Sequence, residues 1–114
     1  MTILEEPLGA GVFKIRLAGR FDIAGAERVD LKLTAMTASP RRAIVIDLSG
    51  VNFLASIGIR SLLTIAKAVQ GRGGHLVLLD PNPLITRVLE IAGIDLLVPI
   101  VRDLPTAVAQ VSAP

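Results

Sequence analysis

The stretch that decides the fold is "VIDLSGVNFLASIGIRSLL", residues 45–63. It opens as an apolar, β-branched run and closes with helical spacing, so a strand hands over to a helix within it. Ala43 to Leu48 is apolar apart from Asp47, too short for a helix, and reads as a central strand covered on both faces. From Ser56 to Gln70 the period changes. Ile59, Leu62, Leu63, Ala66 and Val69 recur as an inward stripe, with Arg60, Lys67 and Gln70 off it. Ser56 fits the N-cap of that helix and Gly71 the left-handed position after it. Gly58 reads as the residue that lets helix and sheet approach closely.

Working outward, "GVFKIRLAG" alternates, with Phe13, Ile15 and Leu17 on one face and Lys14 and Arg16 on the other, as a half-buried strand does. Ile3 and Leu4 suit a short strand before it, with "PLGAG" as the turn. Ala26, Val29, Leu33 and Met36 recur at helical spacing behind Asp22, a fitting cap; Arg28 and Lys32 face away. "TASP" ends this helix. Downstream, "HLVLLD" is another buried strand. Asn82 and Pro83 open a helix that Gly93 ends, and "LVPIV" is a short edge strand. Asp103 caps a last helix with Pro105 in its first turn.

Strands alternating with helices call for parallel pairing through right-handed crossovers, while the first two strands, joined by a tight turn, pair antiparallel. The expected architecture is α/β: a small mixed sheet of four to five strands, mostly parallel after an N-terminal hairpin, packed with about four helices. The 114 residues suit a single domain, 1–114.

Composition narrows the function. Hydrophobic residues make up 52% and aromatics 3%, with no Trp or Tyr, so the core is aliphatic. The net charge is only +2, nine of the twelve cations are Arg, and no basic run exceeds Arg41-Arg42. Dispersed surface charge without a stacking platform points away from nucleic acid. No apolar run is long enough to insert in a membrane, and the N-terminus lacks the basic start of a signal peptide. With no Cys, a reducing, cytoplasmic setting is expected. The terminal "QVSAP" is expected to fray.

Chemistry is sparse. His75, the one histidine, opens a strand after "GRGG" and reads as a structural residue; no metal site, nucleophile elbow or phosphate loop is present, and no cofactor is implied. Asp22, Asp47 and Asp80 fall near strand ends, where capping and loop solvation account for them. A binding module is therefore expected and an enzyme is not. A small nucleotide-binding or enzymatic α/β domain is the contrasting reading.

At residues 45–63 the sequence resembles the STAS domain family, in particular its bacterial anti-sigma factor antagonists. The family pattern is an apolar strand, Asp-Leu-Ser-Gly-Val, one variable residue, an aromatic or apolar pair, Asp-Ser-Ser/Thr-Gly, then a helix. Asp47, Leu48, Ser49, Gly50, Val51, Phe53, Leu54, Ser56 and Gly58 match it. "LAGRFDIAGAERV", with Gly19 and Asp22, and the C-terminal third from "LVLLDPNPL" agree as well, so the likeness covers almost the whole chain.

The resemblance implies partner switching. Such antagonists bind an anti-sigma factor, usually a serine kinase of the histidine-kinase-like ATPase fold, and are released when it phosphorylates the second hydroxyl of Asp-Ser-Ser/Thr-Gly. Carried across, the acid falls on Ala55, the first serine on Ser56 and the acceptor on Ile57. The usual acceptor is absent; Ser56 is the remaining hydroxyl, with capping as its alternative role. The implied partner-binding residues are Asp22, Val51, Leu54, Ser56, Ile57 and Gly58. Ile57 either packs under the preceding loop or joins an apolar docking patch with Leu54 or Val51. A STAS subunit of a transport or sensory complex is the other reading within the family. Leu96, Leu97 and Val98 are either core or homodimer contacts.

Overall fold

The central strand is longer than its apolar run. In the computed structural model, which describes residues 1–40 and 42–112, β3 spans Ala43–Leu54. Arg41 of the basic pair and the last two residues of "QVSAP" lie outside the described residues. Ile44 to Leu48 are all buried. Ile44, Ile46 and Leu48 face one side of the sheet, while Val45 faces the other. Beyond Gly50 the strand continues because β2, Val12–Phe21, runs parallel beside it to the end, pairing Phe21 with Leu54. Register shifts at Arg16/Ala18 and Gly19/Arg20 break the alternation there, which hid the strand from periodicity.

β1, Thr2–Gly9, pairs antiparallel with β2. The expected strand at Ile3 and Leu4 is thus extended, and the expected five-residue turn shrinks to Ala10 and Gly11, with φ of 53° and 78°. Two successive left-handed residues match the right-handed twist of a two-residue hairpin. β4, His75–Leu79, and β5, Ile100–Val101, complete a five-stranded sheet in the order β1-β2-β3-β4-β5, parallel from β2 onward. The mixed α/β sheet expected from the sequence is the one found.

Three helices cover one face of the sheet: α1, Ile23–Met36; α2, Ser56–Gly71; and α3, Pro83–Ile91. α4, Leu104–Val111, packs on the other against Val45, Val77 and Val101. The main core lies between the three helices and the sheet, and Phe21 is its one aromatic among fully buried side chains. Replacing such a residue by Ala typically costs about 3–5 kcal/mol.

Several local expectations shift. α2 buries Gly58, Ser61, Leu62, Ile65, Ala66 and Val69, so Ile59 and Leu63 lie at the margin of its inward stripe. Gly71 stays helical, and Gly73 (φ 79°) takes the left-handed position. Gly93 does so after α3, as expected. Arg42 is not a dispersed surface charge. It stacks 4.0 Å from the Phe13 ring centroid, pairs with Glu5 at 3.5 Å and donates to the Met36 carbonyl, tying the loop after α1 to the hairpin. Val98 is core, while Leu96 and Leu97 are exposed on and beside a short 3-10 turn, Ile94–Leu96.

Candidate functional site

β2 and β3 end side by side, and α1 and α2 start from those ends. This corner gathers the candidate residues. Asp22 takes extended backbone and caps α1, its Oδ1 accepting from the Gly25 N–H at 2.9 Å, as expected. Arg20 Nε lies 3.4 Å from its other oxygen. The Gly25 hydrogen bond first, and the Arg20 guanidinium second, hold the Asp22 carboxyl below the usual carboxylate range against some desolvation. Gly25 has no room for a side chain, since a Cβ there would land on the Arg20 carbonyl oxygen.

The start of α2 is built differently. Ser56 is not its cap. Ala55 is, in extended conformation and with no side-chain hydrogen bond, and Ser56 becomes the first helical residue. The physical reason is tertiary: the Ala55 N–H donates to the Phe21 carbonyl at 3.0 Å, fixing Ala55 to the end of β2. Ala55 O then accepts the first helical bond from Ile59 N–H. Gly58 makes this junction close. A Cβ on it would lie 2.8 Å from Leu54 Cδ1, Phe21 Cγ and the Phe21 carbonyl oxygen. That is the close approach expected of this glycine.

Of the six expected partner-binding residues, Ser56 is exposed, and Asp22 and Ile57 are half-buried. Val51, Leu54 and Gly58 are buried and offer no surface, so an apolar patch of Ile57 with Leu54 or Val51 does not form. Ile57 instead borders a shallow depression of about 420 Å³ lined by Ile23, Ala55, Ser56 and Arg60. It also lines a smaller groove of about 170 Å³ between α1 and α2, with Asp30 and Thr34 from one helix and Arg60, Ser61 and Thr64 from the other. Ile57 packs against the core cluster with part of its side chain and lines the surface with the rest.

Ile23 and Arg60 were missed. Ile23 is 68% exposed, and its only sequence signal is an isoleucine next to a helix cap and off the Ala26–Val29–Leu33 stripe. On the opposite side of the strand ends, Arg20 covers the half-exposed Phe53 ring at 4.1 Å from its centroid.

The other candidates are structural. Asp47 is buried, with Oδ1 accepting from Ser49 N–H at 2.9 Å and Oδ2 3.8 Å from Arg16 Nη1. Asp80 holds a left-handed conformation (φ 49°) after β4, which Asp tolerates. His75 sits exposed at the start of β4. Among the described residues no group of three or more His, Asp or Glu is placed to hold a metal, and no helix is long and apolar enough to cross a membrane.

Residues 9–99 match the family described as Mlab, STAS domain. The chain belongs to the STAS domain family. Among its STAS relatives, BtrV of Bordetella bronchiseptica, named as an anti-sigma factor antagonist, is 31% identical over 93 residues, covering 82% of this chain and 80% of that one. The anti-sigma F factor antagonist of Paenibacillus polymyxa is 29% identical over 91 residues, 79% of this chain and 78% of the relative. The crystal structure of an anti-sigma factor antagonist from Mycobacterium paratuberculosis aligns with a TM-score of 0.86 at 26% identity, covering 98% of this STAS domain and 94% of that chain. The STAS fold of this chain thus agrees with the mixed sheet reached from periodicity, and these relatives are named as anti-sigma factor antagonists.

Proposed function

We propose that this STAS domain is a cytoplasmic protein-binding module of the anti-sigma factor antagonist type. It holds an anti-sigma factor, of the serine-kinase kind the family uses, at the corner where α1 and α2 begin, and it does not catalyse a reaction. The observation that carries the reading is Ile57. It stands where the family has its phosphorylated hydroxyl, in the first turn of α2, and lines both surface depressions of the corner.

Phosphate on a hydroxyl there would add about −1.5 to −2 charges to the docking surface. A hydrocarbon side chain cannot accept it. The corner therefore stays binding-competent, and control passes to the abundance of the protein or the state of its partner. Ile57 gains apolar contact area in exchange for the switch. The exposed Ser56 beside it is the first helical residue rather than the family's acceptor.

The test is titration calorimetry of the chain against the anti-sigma factors of its native host. Ile57→Glu should weaken binding at least about tenfold by burying a charge in the interface, while lowering stability by only about 1 kcal/mol, as a half-buried aliphatic residue does. Unchanged affinity would remove the corner from the interface. Capture of transport or sensory subunits in place of an anti-sigma factor would move the domain to such a complex.

A further inference from the structure

Resting on the reading of this corner as the docking surface, we propose that the partner segment it takes presents a carboxylate beside an aliphatic side chain. The depression has two chemical halves. Ile23, Ala55 and Ile57 make an apolar half, and Arg60 makes a cationic one. Ile23 is 68% exposed, and an aliphatic partner side chain between it and Ile57 would remove both from water.

Arg60 decides the other half. Four ion pairs form among the described residues, through Lys14, Arg16, Arg20 and Arg42; Arg60 is in none of them. The acids around it form no ion pair with it, Glu27, one helical turn after Ile23 on α1, included. Asp22 is held by the Gly25 N–H and by Arg20. Asp30 lies across the adjoining groove from Arg60 without reaching ion-pair distance. Neither α1 nor α2 carries an acid in its first turn. A wholly apolar partner would bury Arg60 without a counter-charge, which is strongly unfavourable, and a basic one would meet like charge. A carboxylate over Arg60, next to an aliphatic side chain between Ile23 and Ile57, satisfies both halves.

The test needs no anti-sigma factor. Random dodecapeptides displayed on phage are selected on the immobilised full chain, and the enriched peptides are then synthesised and titrated into the isotope-labelled protein. Enriched peptides should carry Asp or Glu close to Leu, Ile, Val or Met. They should shift the amides of residues 23–24 and 55–60, and they should bind Arg60→Glu about tenfold more weakly, with Arg60→Gln in between. Arg60 is exposed, so both variants should fold. Enrichment of basic or uncharged peptides, affinity indifferent to Arg60, shifts elsewhere, or no enrichment at all would overturn the proposal. Acidic–aliphatic peptides that bind while no anti-sigma factor does would leave this chemistry standing and remove that partner. An anti-sigma factor whose binding ignores Arg60→Glu would do the reverse.

Discussion

The helices of this domain start in two ways. α1, α3 and α4 each open on a side-chain cap: Asp22 accepts from Gly25, Asn82 from Ile85 and Asp103 from Thr106. α2 opens on Ala55, which has no cap to offer. The capped starts are stabilised locally, by about 1 kcal/mol each in typical proteins. The α2 start is stabilised from outside, by the Ala55–Phe21 backbone bond and by Gly58 lying against Phe21 and Leu54. Because packing rather than capping holds it, the side chains at 55 and 56 carry little structural duty, and Ile57 commits only part of its side chain to the core. They can be chosen for what they present to a partner.

The largest effect should come from filling that contact. Gly58→Ala places a methyl group against a backbone carbonyl that cannot rotate away. It should cost about 2–3 kcal/mol in chemical denaturation, the upper part of the overpacking range. Loss of less than half that would mean that the α2 start is looser than described. A smaller effect should come from exchanging the two kinds of start. Asn82→Ala should lose about 1 kcal/mol, and Ala55→Asp should gain up to about 1 kcal/mol, since Ala55 already has the extended backbone a cap needs. If Ala55→Asp destabilises the fold, the two starts are not interchangeable and the comparison fails.

The smallest effect is the pH dependence. Backbone hydrogen bonds, from Gly25 to Asp22 and from Thr106 to Asp103, lower both carboxyl pKa values in the folded state. Their contribution is therefore complete above the usual carboxylate range near pH ~4, and is lost as pH falls through the lower folded values. Amide exchange should show the starts of α1 and α4 loosening on acidification, while α2, which has no titrating cap, does not follow them.

Most of the fold was legible because strong periodicity and cap chemistry agree. The three side-chain caps and the buried run Ile44–Leu48 stand where the sequence places them. β1 was harder to read as a full strand because it is an edge strand without apolar–polar alternation: Ile3 and Glu5 share the half-buried side, where Glu5 pairs with Arg42, while Leu4 and Glu6 are exposed. At the site, sequence gave the corner but misplaced its parts. Ser56 has the residue type of a cap, yet a long-range backbone bond moves the helix start past it. Val51 and Leu54 look like neighbours of Ile57 in sequence, but the register shift between Val51 and Phe53 lets β3 turn both into the same core. Ile23 joins Ile57 only through the sheet, across more than thirty residues of chain, so no local pattern reveals the pair.

The central claim is that the corner binds without a phosphate switch at position 57. It is tested most directly by restoring the hydroxyl. Wild type and Ile57→Ser are each incubated with the host's anti-sigma kinase and ATP, then examined by mass spectrometry and by binding to that kinase. The account predicts an unmodified wild type that stays bound, and an Ile57→Ser protein that gains one phosphate at residue 57 and is released. Phosphate on Ser56 of the wild type, with loss of binding, would contradict it.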